Sequence, residues 1–186
     1  MRLFPPSRWQ SCLNKSEYKV SKWAGFNFLT LNFKLVFQMS ARRKARELTL
    51  KALYAYEISG SDARQVLEDI ILRSQIKEEA KRFSQSLFEK VLQNIEKIDS
   101  LIRKSVKSWE FSRIALVEKN ILRIGVCEFL FLSDISPAIT INEAIELAKK
   151  YGEKDSKNFI NGVLDHMAKA LTRERFRSKM NVDKAT

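Results

Sequence analysis

Helix-breaking residues are scarce in this chain: five glycines and three prolines are spread over 186 residues, and no proline falls between Pro6 and Pro137. Proline removes a backbone donor and glycine adds backbone entropy, so long stretches without them are free to form long helices. From Ser40 onward, segments rich in Lys, Glu, Leu and Ile repeat apolar residues three and four apart. This predicts an all-α fold, a compact bundle of about seven helices. With 45% hydrophobic residues the chain can bury a core.

The periodicity predicts a first helix over residues 40–59, ended by Gly60, with Ala45, Leu48, Ala52, Ala55 and Tyr56 as its apolar stripe. Asp62 opens the second helix and forms a capping pair with Gln65, and the helix buries Val66, Ile70 and their neighbours. Phe83, Leu87, Val91 and Ile95 mark a third, and Ile98, Leu101 and Ile102 a fourth or a bent continuation of it. The run from Ala115 to Leu132 is apolar on most sides, as a helix surrounded by others is, and belongs at the centre of the bundle. Pro137 closes that unit. Thr140 and Glu143 stand at capping-box spacing, which starts the sixth helix at Thr140, and Gly152 ends it as a C′ glycine. Asp155 or Ser156 caps the seventh, whose stripe is Ile160, Val163, Leu164, Met167, Ala168 and Leu171. Residues 173–186 have no core-facing period and read as a basic flexible tail.

Residues 1–38 differ in texture. Pro5, Pro6, scattered lysines, Trp9 and Trp23 precede a stretch from Phe26 to Phe37 in which Leu29, Leu31, Phe33, Leu35 and Phe37 alternate with mostly polar neighbours. A period of two predicts a strand. Pro5, Pro6 and Arg8 interrupt the continuous apolar run that a secretory signal requires. Met39 directly precedes the helical region, so residues 1–38 read as a leader from an over-extended translation start.

The formal charge is +12, of which residues 1–38 carry +5, leaving +7 for the rest. Such an excess favours polyanionic partners through counterion release, although solubility alone also accounts for a modest surplus. Cys12 and Cys127 are too few and too far apart for a disulfide framework or a zinc site, and Cys127 lies in an apolar run as a buried thiol, a usage that suits a reducing cytoplasm. No apolar run reaches the roughly 20 residues of a membrane span. His166, the single histidine, has no cysteine or acid cluster at metal spacing and reads as an ordinary surface residue. Glycine-rich phosphate loops and paired catalytic motifs are absent, and Glu143 and Glu146 read as a cap and a solvated helix face. No catalytic residue, metal or cofactor is indicated, so the chain reads as a binding protein and not an enzyme.

Arg42, Arg43, Lys44 and Arg46 place four cations in five residues. At about 100° per residue the three arginines share one arc of the first helix, directed outward from Ala45, Leu48 and Ala52. Cations in a first turn oppose the macrodipole, a placement that an anionic partner relieves, and the planar forks of arginine suit phosphates and bases. A charge run of this kind also forms an ordinary solvated helix end. Phe159, flanking the last stripe among Asp155, Ser156, Lys157 and Asn158, can stack on an unpaired base or fill a neighbouring groove.

Four segments decide between these readings: Ala41 to Glu47, Val117 to Ile124, Ile141 to Gly152, and Asp155 to Asp165. Together they resemble the NusB family of bacterial transcription antitermination factors, over a region from about Met39 to about Leu171. The resemblance implies a non-enzymatic RNA-binding adaptor that, with the ribosomal small-subunit protein NusE, binds boxA in nascent RNA and keeps RNA polymerase elongating through ribosomal RNA operons. It implies RNA contacts at Arg42, Arg43, Lys44, Arg46, Asp155, Lys157, Asn158 and Phe159, and a protein interface at Glu118 and Tyr151. Lys44 stands where arginine is common in the family, and Asn158 where lysine is often found. On this reading, replacing Arg42, Arg43 and Arg46 together by alanine keeps the fold and removes most RNA binding. Two alternatives are a helical protein-interaction module without RNA and the NusB-like domain of an RNA methyltransferase. For the second, only residues 172–186 follow the last stripe, too few for a catalytic domain.

Deleting residues 1–38 is expected to cost neither fold nor binding, checked by melting and RNA titration of the chain beginning at Met39. A large loss of stability would show instead that Trp9, Trp23 and the alternating segment dock on the bundle.

Overall fold

A computed structural model of the protein describes the backbone of residues 29–106 and 110–182, and the side chains of 41–106 and 110–173. The bundle forms within the unit Leu35–Thr186, and of the other unit, Met1–Lys34, only the backbone from Leu29 is described. Trp9, Cys12, Trp23 and Phe26 lie outside the described residues. Every element described is helical: α1 (Leu29–Ser59), α2 (Ala63–Val66), α3 (Glu78–Gln93), α4 (Ile95–Ser105), α5 (Leu116–Phe131), α6 (Pro137–Tyr151) and α7 (Ser156–Val182). A π turn at Leu67–Leu72 extends α2, and a 3-10 turn at Phe111–Arg113 precedes α5.

The centre is α5, as its all-round apolar character predicts. Each residue from Asn120 to Phe129 is buried, and the helix packs against α3, α4, α6 and α7. Gly125 lets α7 come close, since a Cβ there would stand 2.9 Å from both Leu164 methyls. Leu53, Leu87, Phe88, Ile98, Ile102, Leu122 and Ile160 complete one core. Truncating any of these fully buried side chains to alanine costs about 2–5 kcal/mol. The α7 stripe packs as expected, with Ile160, Val163, Leu164 and Met167 buried and Ala168 and Leu171 beside them. That helix continues to Val182, through the first part of the segment read as a tail.

Several local expectations are corrected. The alternating segment is not a strand, because α1 already begins at Leu29 and no strand is found among the described residues to pair with it. A lone strand leaves its amides and carbonyls unpaired, whereas a helix satisfies them internally. Gly60 ends α1 with φ +64, the left-handed conformation that glycine adopts freely. Asp62 does cap α2, accepting from the Arg64 amide at 3.3 Å. After Val66 it is Ile71, next to Ile70, that is fully buried, because the wider π turn brings i+5 onto the face that i+4 occupies in an α-helix, and Ile70 packs partly buried against the core. At Asn94 the chain turns out of helical geometry, making α3 and α4 separate helices.

The capping box also fails. The first residue of α6 is Pro137, with its fixed φ suited to that position, and the Thr140 amide is already bonded to the Ser136 carbonyl at 3.2 Å. This frees the Thr140 hydroxyl and the Glu143 carboxylate for partners on other helices. Gly152 follows α6 as a glycine for another reason than the one expected, since its backbone is extended (φ −87, ψ −178). A Cβ at this position would fall 2.6 Å from Ser156 Cβ and 2.8 Å from the Ala148 carbonyl. The glycine permits close approach at the α6–α7 junction.

Cys127 is fully buried in α5, and burial, reinforced by the charge of Glu128, pushes its thiol up from 9.0 to about 12. Below pH 9 the thiol is neutral in both folded and unfolded chains. As pH rises from there toward about 12, the unfolded chain releases the proton first, so stability falls. In a Cys12→Ser chain, Cys127 is expected to react with a thiol reagent only as fast as the protein opens, and Cys127→Ala is expected to flatten the alkaline part of a pH–melting profile. Rapid labelling of the native protein would contradict the burial. Gly152→Ala is expected to lower stability by about 1–3 kcal/mol through overpacking, measured by denaturant unfolding.

Candidate nucleic-acid interface

The basic cluster lies well inside α1, since that helix begins at Leu29. The macrodipole acts mainly within a first or last turn, so the expected unfavourable placement of these cations does not arise. Each of the three arginines instead has a carboxylate. Arg42 Nη2 donates to Asp134 Oδ2 at 3.0 Å, in the loop between α5 and α6. Arg43 forks onto Glu143 of α6, with Nε 3.0 Å from Oε2 and Nη2 2.7 Å from Oε1. Arg46 forks onto Glu128 of α5 at 2.6 and 3.1 Å. Phe83 of α3 lies under both Arg42 and Arg46, at 5.3 and 5.6 Å from the ring centroid. Lys44 is exposed and has no ion pair among the described residues.

Arg46 does not share the outward face expected of it: it is 3% exposed and Glu128 only 1%. A carboxylate inside the apolar run of α5 requires an opposite charge, and Arg46 supplies it. Thr140 Oγ1 adds a hydrogen bond to Glu128 Oε2 at 2.7 Å, and Arg46 Nη1 stands 3.8 Å from Glu143 Oε2. Sequence reasoning missed Glu128, Thr140, Phe83 and Asp134. One signal for the first was visible, a lone acid interrupting an otherwise apolar helix.

Further along, Lys150 and Tyr151 at the end of α6 both reach Glu47 of α1, at 2.8 and 3.2 Å. Burial, with the charge of Glu47, raises the Tyr151 phenol. For Lys150, burial works downward but the Glu47 carboxylate outweighs it and raises the ammonium. Arg43 is raised by its bond to Glu143 against some burial, and the Glu146 carboxylate is lowered by Lys149. Between Arg43 and Glu47 on one side and Glu143, Glu146, Lys149 and Lys150 on the other is a cleft of about 270 Å³ of mixed charge.

At the start of α7, Asp155, Lys157 and Asn158 are exposed, while Phe159 is half-buried and packs against the core. Asp155 directly precedes this helix, at the N-cap position expected of it or of Ser156. The Asp155 carbonyl accepts from the Asn158 and Phe159 amides. The buried Ser156 hydroxyl accepts from the Glu153 amide at 2.7 Å and donates to Glu118 Oε1 of α5 at 2.5 Å. α6 thus links the groups, holding Glu47 of α1 through Lys150 and Tyr151 and abutting Ser156 through Gly152. Among the described residues no group of acids, histidines or cysteines could hold a metal ion, and no helix is long and apolar enough to cross a membrane. His166 is exposed.

The buried pair corrects the expectation for the triple alanine variant. Arg46→Ala alone is expected to cost about 3–5 kcal/mol, because it leaves Glu128 buried and unpaired. Arg42→Ala, which removes a partly exposed pair, is expected to cost no more than about 1 kcal/mol. Chemical denaturation of each variant checks the contrast, and equal stabilities would contradict it.

Residues 43–169 match the family model described as the NusB family. A transcription antitermination protein NusB from Nitratiruptor sp. is 43% identical over 133 residues, which cover 72% of this chain and 95% of that protein. A solved structure of T. maritima NusB superposes with a TM-score of 0.65 at 38% identity, covering 69% of this chain and 90% of that one. A chain from a crystal structure of the antitermination factors NusB and NusE in complex with dsRNA superposes at 0.64 with 31% identity, covering 71% and 98%. Matched by the family model over most of its length, and similar in sequence and all-α fold to NusB proteins that it covers almost entirely, the chain belongs to the NusB family of transcription antitermination proteins.

Proposed function

We propose that this chain is the RNA-binding subunit of a boxA-dependent antitermination complex, acting in the cytoplasm with a NusE-type ribosomal protein on the elongating polymerase. The observation that carries it is the arginine-rich segment of α1, where Arg42 and Arg43 keep part of their side chains exposed within a fold similar to that of a NusB solved with NusE and RNA. Arg42, Arg43 and Lys44 meet phosphates in this proposal, while Arg46 holds the surface from behind. Asp155, Lys157 and Asn158 at the exposed start of α7 supply further polar contacts, and the half-buried Phe159 stacks on an unpaired base with whatever ring face the core leaves open. Glu118 and Tyr151 belong to the NusE interface, each already bonded to a side chain on a neighbouring helix. Residues 1–38 lie outside the family match and are proposed to take no part in this function.

The test is affinity for a short boxA-like single strand, with and without NusE, over a salt series. Binding is expected to tighten with NusE and to weaken with salt. Replacing Arg42 and Lys44 by alanine is expected to lower the slope of log K against log salt by about 0.7 for each lost contact. Phe159→Ala is expected to weaken binding by about 1–3 kcal/mol if a base stacks there. Binding that ignores salt would favour the protein-interaction module, and normal RNA affinity in a destabilised Phe159→Ala protein would assign that ring to the core.

A further inference from the structure

Resting on that function, we infer that Glu143 is a positioning residue for RNA, holding the Arg43 guanidinium so that its outer edge is presented to a phosphate. Arg43 binds Glu143 through Nε and Nη2. A guanidinium has five donor hydrogens, so this side-on fork leaves both hydrogens of Nη1 and one of Nη2 unused. The Glu143 side chain is 5% exposed and that of Arg43 49%, so the fork joins a buried carboxylate to a guanidinium that still has surface open to a partner. The Nη1/Nη2 edge, adjacent to the occupied one, matches two phosphate oxygens in a second fork.

Glu143 is itself held. Its Oε2 stands 3.8 Å from Arg46 Nη1, and Arg46 is fixed by Glu128, which also accepts from Thr140. Alternating charges thus run outward from the buried Glu128 to the surface Arg43, each fixing the next. An arginine immobilised before contact loses less freedom when a phosphate binds. A lysine at position 43 has one point of attachment and cannot hold Glu143 and present a planar edge together.

The experiment measures single-stranded RNA affinity and its salt slope for the intact chain and for Glu143→Gln, Arg43→Gln, Arg43→Lys and the Glu143→Gln/Arg43→Gln double variant, with melting curves as controls. Glu143→Gln is expected to weaken binding on the order of tenfold, the value of one charge-assisted hydrogen bond, and to lower the salt slope as Arg43→Gln does. The double variant is expected to bind no worse than Arg43→Gln alone. Arg43→Lys keeps the charge at an exposed site and leaves Glu143 in place, and it too is expected to lose most of the contact. If the intact chain binds RNA but Glu143→Gln binds equally well or more tightly, if the two losses add, or if Arg43→Lys binds like the intact chain, the positioning role is overturned while the function stands. Should the intact chain show no salt-dependent RNA binding, the function falls and the inference with it.

Discussion

The buried ion pair between Arg46 and Glu128 is the constraint on which the arrangement of α1, α5 and α6 depends. Two charges removed from water stabilise a fold only when their geometry is good and their remaining hydrogen-bonding capacity is met. Here the guanidinium forks onto the carboxylate, Thr140 satisfies one carboxylate oxygen further, and the Phe83 ring covers the cation. Sliding α1 by one residue would break all of these at once. One turn along, Thr49 meets the Ser84 side chain and carbonyl, adding a second polar checkpoint between α1 and α3. The apolar core gives the bundle most of its stability, and these buried polar contacts select one register among the many that an apolar stripe alone tolerates.

The division between what the sequence revealed and what it concealed follows from the range of each interaction. Apolar stripes are local, so the central place of α5 and the buried face of α7 were legible from spacing. Partners far apart in the chain were not. Arg46 and Glu128 are 82 residues apart, and nothing in the spacing near Arg46 shows that it faces inward. Thr140 and Glu143 satisfied a local capping pattern, yet their side chains serve Glu128 and Arg43 on other helices. Ile71 is buried more deeply than Ile70 because a π turn changes the period within one helix. The alternating leucines and phenylalanines before Met39 carried a genuine period of two, but a strand without a partner cannot compete with continuation of a helix. The segments that carry the family resemblance contain both sides of several contacts between helices, Arg43 with Glu143 and Glu118 with Ser156 among them.

The α6 C-terminus joins the regions proposed for RNA and protein binding. Within three residues, Lys150 and Tyr151 hold α1 through Glu47, and Gly152 allows Ser156 close enough to bond Glu118. These contacts join the end of α6 to the middle of α1 and the start of α7 to the start of α5. The arrangement places the proposed protein-interface residues one hydrogen bond away from the proposed RNA-binding elements. It gives a physical basis for treating the two surfaces as neighbours that share structural support.

Because Arg42, Arg43 and Arg46 are each matched by a carboxylate, the segment that looks most basic in the sequence contributes little field at a distance. Of the +7 carried by residues 39–186, little comes from those three arginines. For a polyanionic partner this separates two rates. The speed of encounter follows the dispersed surplus of lysines and arginines over the whole bundle, whereas the lifetime of the complex follows the short-range forks that the arginines offer on contact. A change in a remote surface lysine would then alter how often the partner arrives, and a change at Arg43 how long it remains.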